Sequence, residues 1–252
     1  MGIPIKTEQQ LDIMRQAGKL VAEVLALMRE SISAGISTKE LDRIAEDFIT
    51  KSGGAPSFKG YNGFPASACI SINEVILHGI PGLRRLKSGD IVSIDIGICY
   101  EGYHADAART FAVGEISPEA SRLIETTKAS FFDCLRHARD GSRLHEISAS
   151  IQDFVEARGH NVAKDFVGHG IGRKLHEPPQ IPIFRQKTRG PRLAKGMVLA
   201  IEPMVTQGGD TIDILEDGWT AATRDGMLAA HYENTVVITD TEPEIITFFQ
   251  DS

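Results

Sequence analysis

Apolar and polar residues alternate with helical spacing in two pairs of segments along the chain. In the first segment the apolar positions from Leu11 to Met28 approximate one face of a helix. Thr7 with Gln10 has the spacing of a capping box, and the same spacing recurs at Ser37. The predicted helices are residues 7–30, 37 to a turn at 52–54, 117 to about 139, and 144–158.

Strand-like segments follow each pair of helices. Those of the first half are 67–73, 90–99 and 103–113, with Glu101-Gly102 as a two-residue turn. Those of the second half are 197–205, 211–215, 219–222 and 231–239. The order of two helices followed by a sheet therefore occurs twice.

The repetition extends to single residues. Segment 86–95 aligns with segment 193–202, and in both a Leu-x-x-Gly motif precedes an apolar strand that ends in an acid. One such match can arise by chance, but two helices precede each copy. We therefore predict one α+β domain, residues 1–252, built from repeats of about 7–113 and 117–240.

Composition narrows the class of protein. The chain has 252 residues, 42% of them hydrophobic and 24% charged, which is typical of soluble globular proteins. A net charge of −7 argues against nucleic-acid binding through a basic surface. Three cysteines without a C-x-x-C pair argue against a zinc finger and a disulfide framework. We find no signal peptide and no membrane-length apolar run, so we expect a cytoplasmic protein without membrane partners.

Acidic residues within apolar surroundings are the first indication of a functional site. Asp95 lies among isoleucine and valine, where a bare carboxylate is unfavourable without a cation or strong hydrogen bonds. A two-residue turn would pair Asp95 with Ala108 and make Asp106 its diagonal neighbour on one face. Such acids repel unless a cation neutralises them. The alternative is a hairpin with solvated acids, which is more credible for Asp106 alone.

Glu202 and Glu233 also occur in strand-like apolar runs, and several such acids together favour a cation site. His169 lies between glycines that allow close approach, and His176 and His78 lie in similar loop contexts. Each alone could be an ordinary loop histidine. The other histidines, at 104, 137, 145, 160 and 231, are interpreted as surface or structural residues.

The charge of this set matches a dinuclear centre. Four carboxylates and one neutral imidazole balance two divalent cations. A ligand set rich in oxygen suits Mn, Fe or Co and does not exclude Zn.

Together the motifs resemble those of type I methionine aminopeptidases over nearly the whole chain. The segments that carry the resemblance are 73–81, 90–95, 102–106, 168–172, 202–204, 217–219 and 232–235. The resemblance implies the pita-bread fold, two pseudo-symmetric helix-helix-sheet halves around a curved antiparallel sheet. It also implies removal of N-terminal methionine before a small, uncharged second residue, by a hydroxide that bridges two metals.

The resemblance assigns roles to individual residues. The metal ligands would be Asp95, Asp106, His169, Glu202 and Glu233, with Asp106 and Glu233 bridging and Glu202 also moving a proton. His176 would contact the scissile carbonyl or the substrate backbone, and His78 would hydrogen-bond near the substrate amide. The methionine pocket would comprise Tyr61, Phe64, Cys69 and Trp219, with Phe58 and Leu175 nearby.

The implied partners are the N-termini of nascent polypeptides at the ribosome, and a monomer is expected. Asn234, Leu175 and Ala107 depart from the family pattern, but none is an expected ligand. The alternatives are a prolidase or Xaa-Pro aminopeptidase of the same fold, a catalytically inactive binding module, and a metal-storage or structural domain. Such inactive modules lose ligands, whereas all five are present here, and storage does not explain His78 and His176.

Overall fold

The computed structural model describes residues 2–248, in which each of two pairs of long helices is followed by a group of antiparallel strands. The long helices are α1 (Glu8–Ser31), α2 (Thr38–Lys51), α3 (Pro118–Cys134) and α4 (Leu144–Glu156). Single 3-10 turns occur at Tyr61–Gly63 and Leu135–His137. The predicted domain also includes residues 1 and 249–252, which lie outside the described residues, and its internal repeat stays a prediction.

The predicted helix starts are confirmed. At α1 the Thr7 hydroxyl accepts a hydrogen bond from the Gln10 backbone N–H, and the Gln10 side chain accepts one from the Thr7 N–H. Ser37 and Glu40 form the same box at α2. The predicted end of α3 near residue 139 is wrong, because the helix tightens into a 3-10 turn after Cys134. No glycine or proline marks that change in the sequence.

The strands are short except for one central hairpin. In chain order they are β1 (Ala55–Pro56), β2 (Ala68–Ile72), β3 (Val75–Leu77), β4 (Ile91–Tyr100), β5 (Tyr103–Ala112), β6 (Asn161–Val162), β7 (Val167–Gly170), β8 (Glu177–Pro182), β9 (Val198–Ile201), β10 (Met204–Thr206), β11 (Ile212–Ile214), β12 (Ala221–Thr223), β13 (Ala229–His231), β14 (Asn234–Val237) and β15 (Glu244–Ile245). In one sheet β4 pairs with β1, β2 and β5, and the largest has the order β15-β14-β9-β7-β8. Two further sheets have the orders β13-β10-β6 and β11-β12-β3.

The β4–β5 hairpin has the predicted register. Glu101 and Gly102 both have positive φ angles, 47° and 78°, as a type I′ turn requires. Asp95 pairs with Ala108, and Gly97 pairs with Asp106. Because side chains alternate between the faces of a strand, Asp95 and Asp106 lie on the same face as diagonal neighbours.

Two predicted strands of the second half are interrupted at their acids. The predicted strand 197–205 divides into β9 and β10 at Glu202 and Pro203, because proline has no N–H to donate to a strand neighbour. The predicted strand 231–239 divides into β13 and β14 around Glu233. Glu202 and Glu233 are therefore at strand junctions, and the expectation that they lie within strands is wrong.

In the part of the chain that the structure describes, apolar side chains form three buried clusters, two of them between helices and sheets. One cluster joins α1 and α2 to β2, β4 and β5, and a second joins α3 and α4 to β9, β10 and β13. The third includes Phe58, Phe64, Cys69 and Leu175, and it borders the cavity described below. Between residues 2 and 248, no helix combines the length and apolar character needed to cross a membrane.

Candidate metal centre and adjoining pocket

All thirteen of the predicted site residues line one cavity of about 210 Å³. The five predicted metal ligands are at its polar end: Asp95, Asp106, His169, Glu202 and Glu233. The remaining predicted site residues complete the wall: Phe58, Tyr61, Phe64, Cys69, Leu175, Trp219, His78 and His176. Asn62, Leu77, Phe166 and Val167 also line it and were not predicted.

Strand pairing brings the second-half ligands together. His169 on β7 pairs with Ala200 on β9, two residues before Glu202. On the other side of β9, Ile201 pairs with Asn234, which follows Glu233. Gly168 permits this approach, because a Cβ there would lie 2.4 Å from the Ala200 carbonyl oxygen.

Hydrogen bonds join these residues to the β4–β5 hairpin. The Thr235 hydroxyl accepts from the Asp106 N–H at 2.9 Å and donates to the Asp106 carbonyl at 2.8 Å. The Glu233 N–H donates to the Ala108 carbonyl at 2.9 Å. These contacts place Glu233 next to Asp106, so carboxylates from both halves of the chain face one another.

Ligand atoms of Asp106, His169 and Glu233 all lie within 4.8 Å of one another. His169 Nε2 is 4.0 Å from Asp106 Oδ2 and 3.7 Å from Glu202 Oε1. His169 Nδ1 lies 3.0 Å from the Gly170 carbonyl oxygen. Because a carbonyl oxygen can only accept, the Nδ1–H donates to it, which leaves the Nε2 lone pair facing the acids.

The carboxylates strongly perturb one another. Burial raises the pKa of Asp95 to about 7, and a hydrogen bond with Asp106 offsets part of that rise. Burial, followed by the charges of Glu233 and Asp95, raises the pKa of Asp106 well above its ordinary value. The pKa values of Glu202 and Glu233 are raised for the same reasons, burial first and neighbouring carboxylates second. Without a cation, the cluster favours bound protons.

The nearby histidines are held neutral. Burial, followed by the proximity of His176, lowers the pKa of His169 to about 3 and that of His78 to about 4. Burial also lowers the pKa of His176. A neutral His169 imidazole can bind a cation, and neutral His78 and His176 can still each donate one hydrogen bond.

The apolar wall of the cavity is rich in aromatic rings and contains one thiol. The rings of Phe64 and Trp219 meet edge to face with centroids 5.2 Å apart, and Cys69 lies opposite Asp95 on β2. Burial raises the pKa of the Cys69 thiol well above its ordinary value, so the thiol stays protonated. Gly97 leaves room for Phe58, since a Cβ there would lie 2.7 Å from that ring. This wall suits an apolar, polarisable side chain.

Tyr61 has a second role that the sequence did not reveal. Its hydroxyl lies 2.7 Å from His176 Nδ1, while the His176 ring lies against His169 with centroids 4.2 Å apart. When the hydroxyl donates to Nδ1, the proton of neutral His176 is on Nε2.

Behind Glu233 lies a buried guanidinium that sequence reasoning missed. Arg109 is 1% exposed and donates to the Glu233 carbonyl at 2.5 Å and to Asn234 Oδ1 at 2.7 Å. Asn234 Oδ1 also accepts a hydrogen bond from Thr247. The family departure at Asn234 thus provides an acceptor for a buried cation. The sequence of β5 does not reveal these contacts, because Glu233 and Asn234 lie 124 and 125 residues further along the chain.

His231 was assigned to the surface or to a structural role, but it contacts the acidic cluster. It is 1% exposed, and its Nε2 lies 3.8 Å from Glu202 Oε2. Burial, followed by the proximity of His78 and Arg109, lowers its pKa to about 3. Its sequence context lacks the flanking glycines that drew attention to His169, so only strand pairing reveals its position.

These residues fit a divalent metal centre. Within residues 2–248, Asp95 Oδ1, Asp106 Oδ1 and Glu233 Oε1 are buried without hydrogen-bond partners. Buried oxygens of this kind are unfavourable unless a cation or a donor satisfies them. Carboxylate oxygens and a neutral imidazole are the donors expected around such an ion.

Comparison with known proteins agrees with this class of site. Residues 12–240 match the model of metallopeptidase family M24, and the chain belongs to that family. It is 56% identical to a methionine aminopeptidase from Clostridium perfringens over 248 residues, 98% of this chain and 100% of the relative.

Solved structures give the fold. The crystal structure of methionine aminopeptidase from Thermotoga maritima is 42% identical, with a TM-score of 0.96 over 98% of this chain and 99% of that one. A prolidase from Pyrococcus furiosus, 22% identical, has a TM-score of 0.80 over 98% of this chain and 66% of that one, which shows the fold alone. The predicted pita-bread α+β fold is therefore confirmed.

Proposed function

We propose that this chain is a metalloaminopeptidase that hydrolyses the N-terminal methionine from polypeptides whose second residue is small and uncharged. The observation that carries the proposal is one cavity with a carboxylate-histidine cluster at one end and an aromatic, thiol-containing wall at the other. The named relatives support the same substrate.

The metal centre would hold two divalent ions, with Co, Mn, Fe and Zn all compatible with the donor set. Asp95, Asp106, His169, Glu202 and Glu233 would bind them. When bound, such ions lower the pKa of water and polarise a carbonyl oxygen. Four carboxylates and one neutral imidazole would balance two divalent charges.

The chain's own groups supply the remaining chemistry. Glu202 would accept the proton of the attacking water. It lies beside His169 and lines the cavity. His176 would donate a hydrogen bond to the scissile carbonyl as its oxygen gains charge. His78, whose ring meets Trp219 edge to face at 6.0 Å, would hydrogen-bond near the substrate amide.

The methionine side chain would occupy the apolar end. Phe64, Cys69 and Trp219 provide aromatic and sulfur contacts for a thioether, with Phe58, Tyr61 and Leu175 completing the wall. The expected substrates are the N-termini of nascent polypeptides at the ribosome, and we expect a monomeric, cytoplasmic enzyme. These finer assignments rest on the family resemblance.

A peptide panel tests the proposal. Metal-loaded protein is assayed for release of the first residue from Met-Ala-Ser, Leu-Ala-Ser, Met-Lys-Ser and an Ala-Pro peptide. We expect release of methionine from Met-Ala-Ser. For Leu-Ala-Ser, whose first side chain lacks the thioether, kcat/KM should be at least about 10-fold lower. Preference for the Ala-Pro peptide would instead assign the site to an Xaa-Pro peptidase.

A further inference from the structure

His231 and Glu202 are held against each other by the backbone. His231 pairs with Met204 across β13 and β10, and the Tyr232 N–H donates to the Pro203 carbonyl at 3.1 Å. The residues that precede this donor and acceptor, His231 and Glu202, are therefore fixed relative to each other. Glu202 precedes Pro203, so its side chain and that of His231 project from adjacent points of the same junction.

The backbone of His231 is also fixed from the opposite side. The Thr110 hydroxyl donates to the His231 carbonyl at 2.9 Å and accepts from the His231 N–H at 2.9 Å. These bonds fix the backbone from which the imidazole projects, and the 1% exposure of His231 leaves its ring little room to turn away from Glu202.

The imidazole nitrogen that faces Glu202 has no other hydrogen-bond partner among the described residues. His231 is 1% exposed, and no described residue forms a hydrogen bond with its Nε2. Leaving a buried nitrogen without a partner is unfavourable. The acid beside it, Glu202 Oε2 at 3.8 Å, is the oxygen that a small rotation would bring into hydrogen-bond range.

We propose that His231 is a positioning residue whose Nε2–H donates to Glu202 Oε2 and thereby orients that carboxylate toward the metal centre. His231 does not line the cavity, so it acts on the substrate only through Glu202. The inference rests on the proposed role of Glu202 as a ligand and proton acceptor. Partners of this kind fix the geometry of the groups that bind metals.

Two matched variants test which nitrogen matters. The amide nitrogen of glutamine reaches approximately where Nε2 of histidine lies, whereas that of asparagine reaches only as far as Nδ1. Thermal unfolding of the metal-free proteins first establishes that His231→Gln and His231→Asn fold. Co²⁺ affinity is then measured by calorimetry, and kcat and KM are measured on Met-Ala-Ser.

We expect His231→Asn to lose about 10- to 100-fold in Co²⁺ affinity and in kcat, with KM nearly unchanged. His231→Gln should stay within about threefold of the parent protein, because it retains a donor at the Nε2 position. Equal behaviour of the two variants, whether both unimpaired or both impaired, would overturn the proposal.

If His231→Asn does not fold, a measurement on protein that retains His231 still tests the proposal. In the Zn²⁺-loaded protein, ¹⁵N NMR should find the His231 proton on Nε2, with a resonance that shifts in Glu202→Gln. A proton on Nδ1 would overturn the proposal. Calorimetry and NMR do not depend on peptide hydrolysis, so failure of the proposed function would appear separately, as absent release of methionine.

Discussion

At the scale of the residue, the contact between Tyr61 and His176 gives a pocket residue a second task. The hydroxyl can hold His176 in the tautomer that presents Nε2–H to a substrate carbonyl. The aromatic ring of Tyr61 can serve the methionine pocket without this hydroxyl. The two tasks are therefore separable by removing one atom.

Tyr61→Phe should lower kcat by about 3- to 10-fold, the equivalent of one hydrogen bond of about 0.5–1.5 kcal/mol. KM should change little, because the ring remains. His176→Ala should lower kcat by about 10²–10³-fold, the loss typical of a transition-state donor. The check is a double-mutant cycle on Met-Ala-Ser. Full additivity of the two effects would mean that the hydroxyl does not act through His176.

At the scale of the element, the β4–β5 hairpin by itself brings two acids of the site together. Strand register alone makes Asp95 and Asp106 neighbours, and burial makes their charges costly. The raised pKa of Asp95 makes stability depend on pH in a direction that can be tested. Because its pKa is raised in the folded state, Asp95 contributes stability to the folded protein that is fully present below its unfolded pKa, near 4. This contribution is lost as the pH rises through about 7.

Asp95→Asn should therefore stabilise the metal-free protein at pH 8, where Asp95 is charged, and stabilise it much less at pH 5. The measurement is the difference in thermal unfolding midpoint between variant and parent, in the presence of chelator. Histidines with lowered pKa values act in the opposite sense, but they are present in both proteins and largely cancel. A stabilisation that is larger at pH 5 than at pH 8 would contradict the account.

Sequence patterns predicted the local parts of these elements well. Capping boxes at Thr7 and Ser37 and the turn at Glu101-Gly102 depend on residues a few positions apart, so their spacing was sufficient. The breaks at Glu202 and Glu233 and the burial of His231 depend on pairing between distant strands. No periodicity records that pairing. The family motifs supplied the candidate site, and the fold adds Arg109 and His231 to it.

At the scale of the whole molecule, a buried ion pair links the segment before α1 to the first residue of β8, which directly follows His176. Lys6 Nζ lies 2.6 Å from Glu177 Oε2, and their side chains are only 5% and 8% exposed. The Lys6 N–H also donates to the Gly196 carbonyl at 2.8 Å. Gly172 makes space for this lysine, since a Cβ there would lie 2.5 Å from Lys6 Cε.

Lys6→Ala should reduce the free energy of unfolding by about 3–5 kcal/mol, because it leaves the Glu177 carboxylate buried without its cation. Lys6→Met combined with Glu177→Gln should recover much of that loss, since it removes both charges and keeps most of the volume. Denaturant unfolding of the three proteins measures both effects. A double variant no more stable than Lys6→Ala would contradict this account, because the double variant leaves no unpaired charge and keeps most of the volume.

The central claim is that five side chains from both halves of the chain bind two metal ions that are required for removal of methionine. The most direct test titrates chelator-treated protein with Co²⁺ or Mn²⁺, measuring bound ions and release of methionine from Met-Ala-Ser in parallel. We predict no activity without metal, activity that rises as ions bind, and loss of at least one ion and of most activity in Glu233→Ala. Full activity in a verified metal-free sample, or two tightly bound ions in Glu233→Ala, would contradict the account.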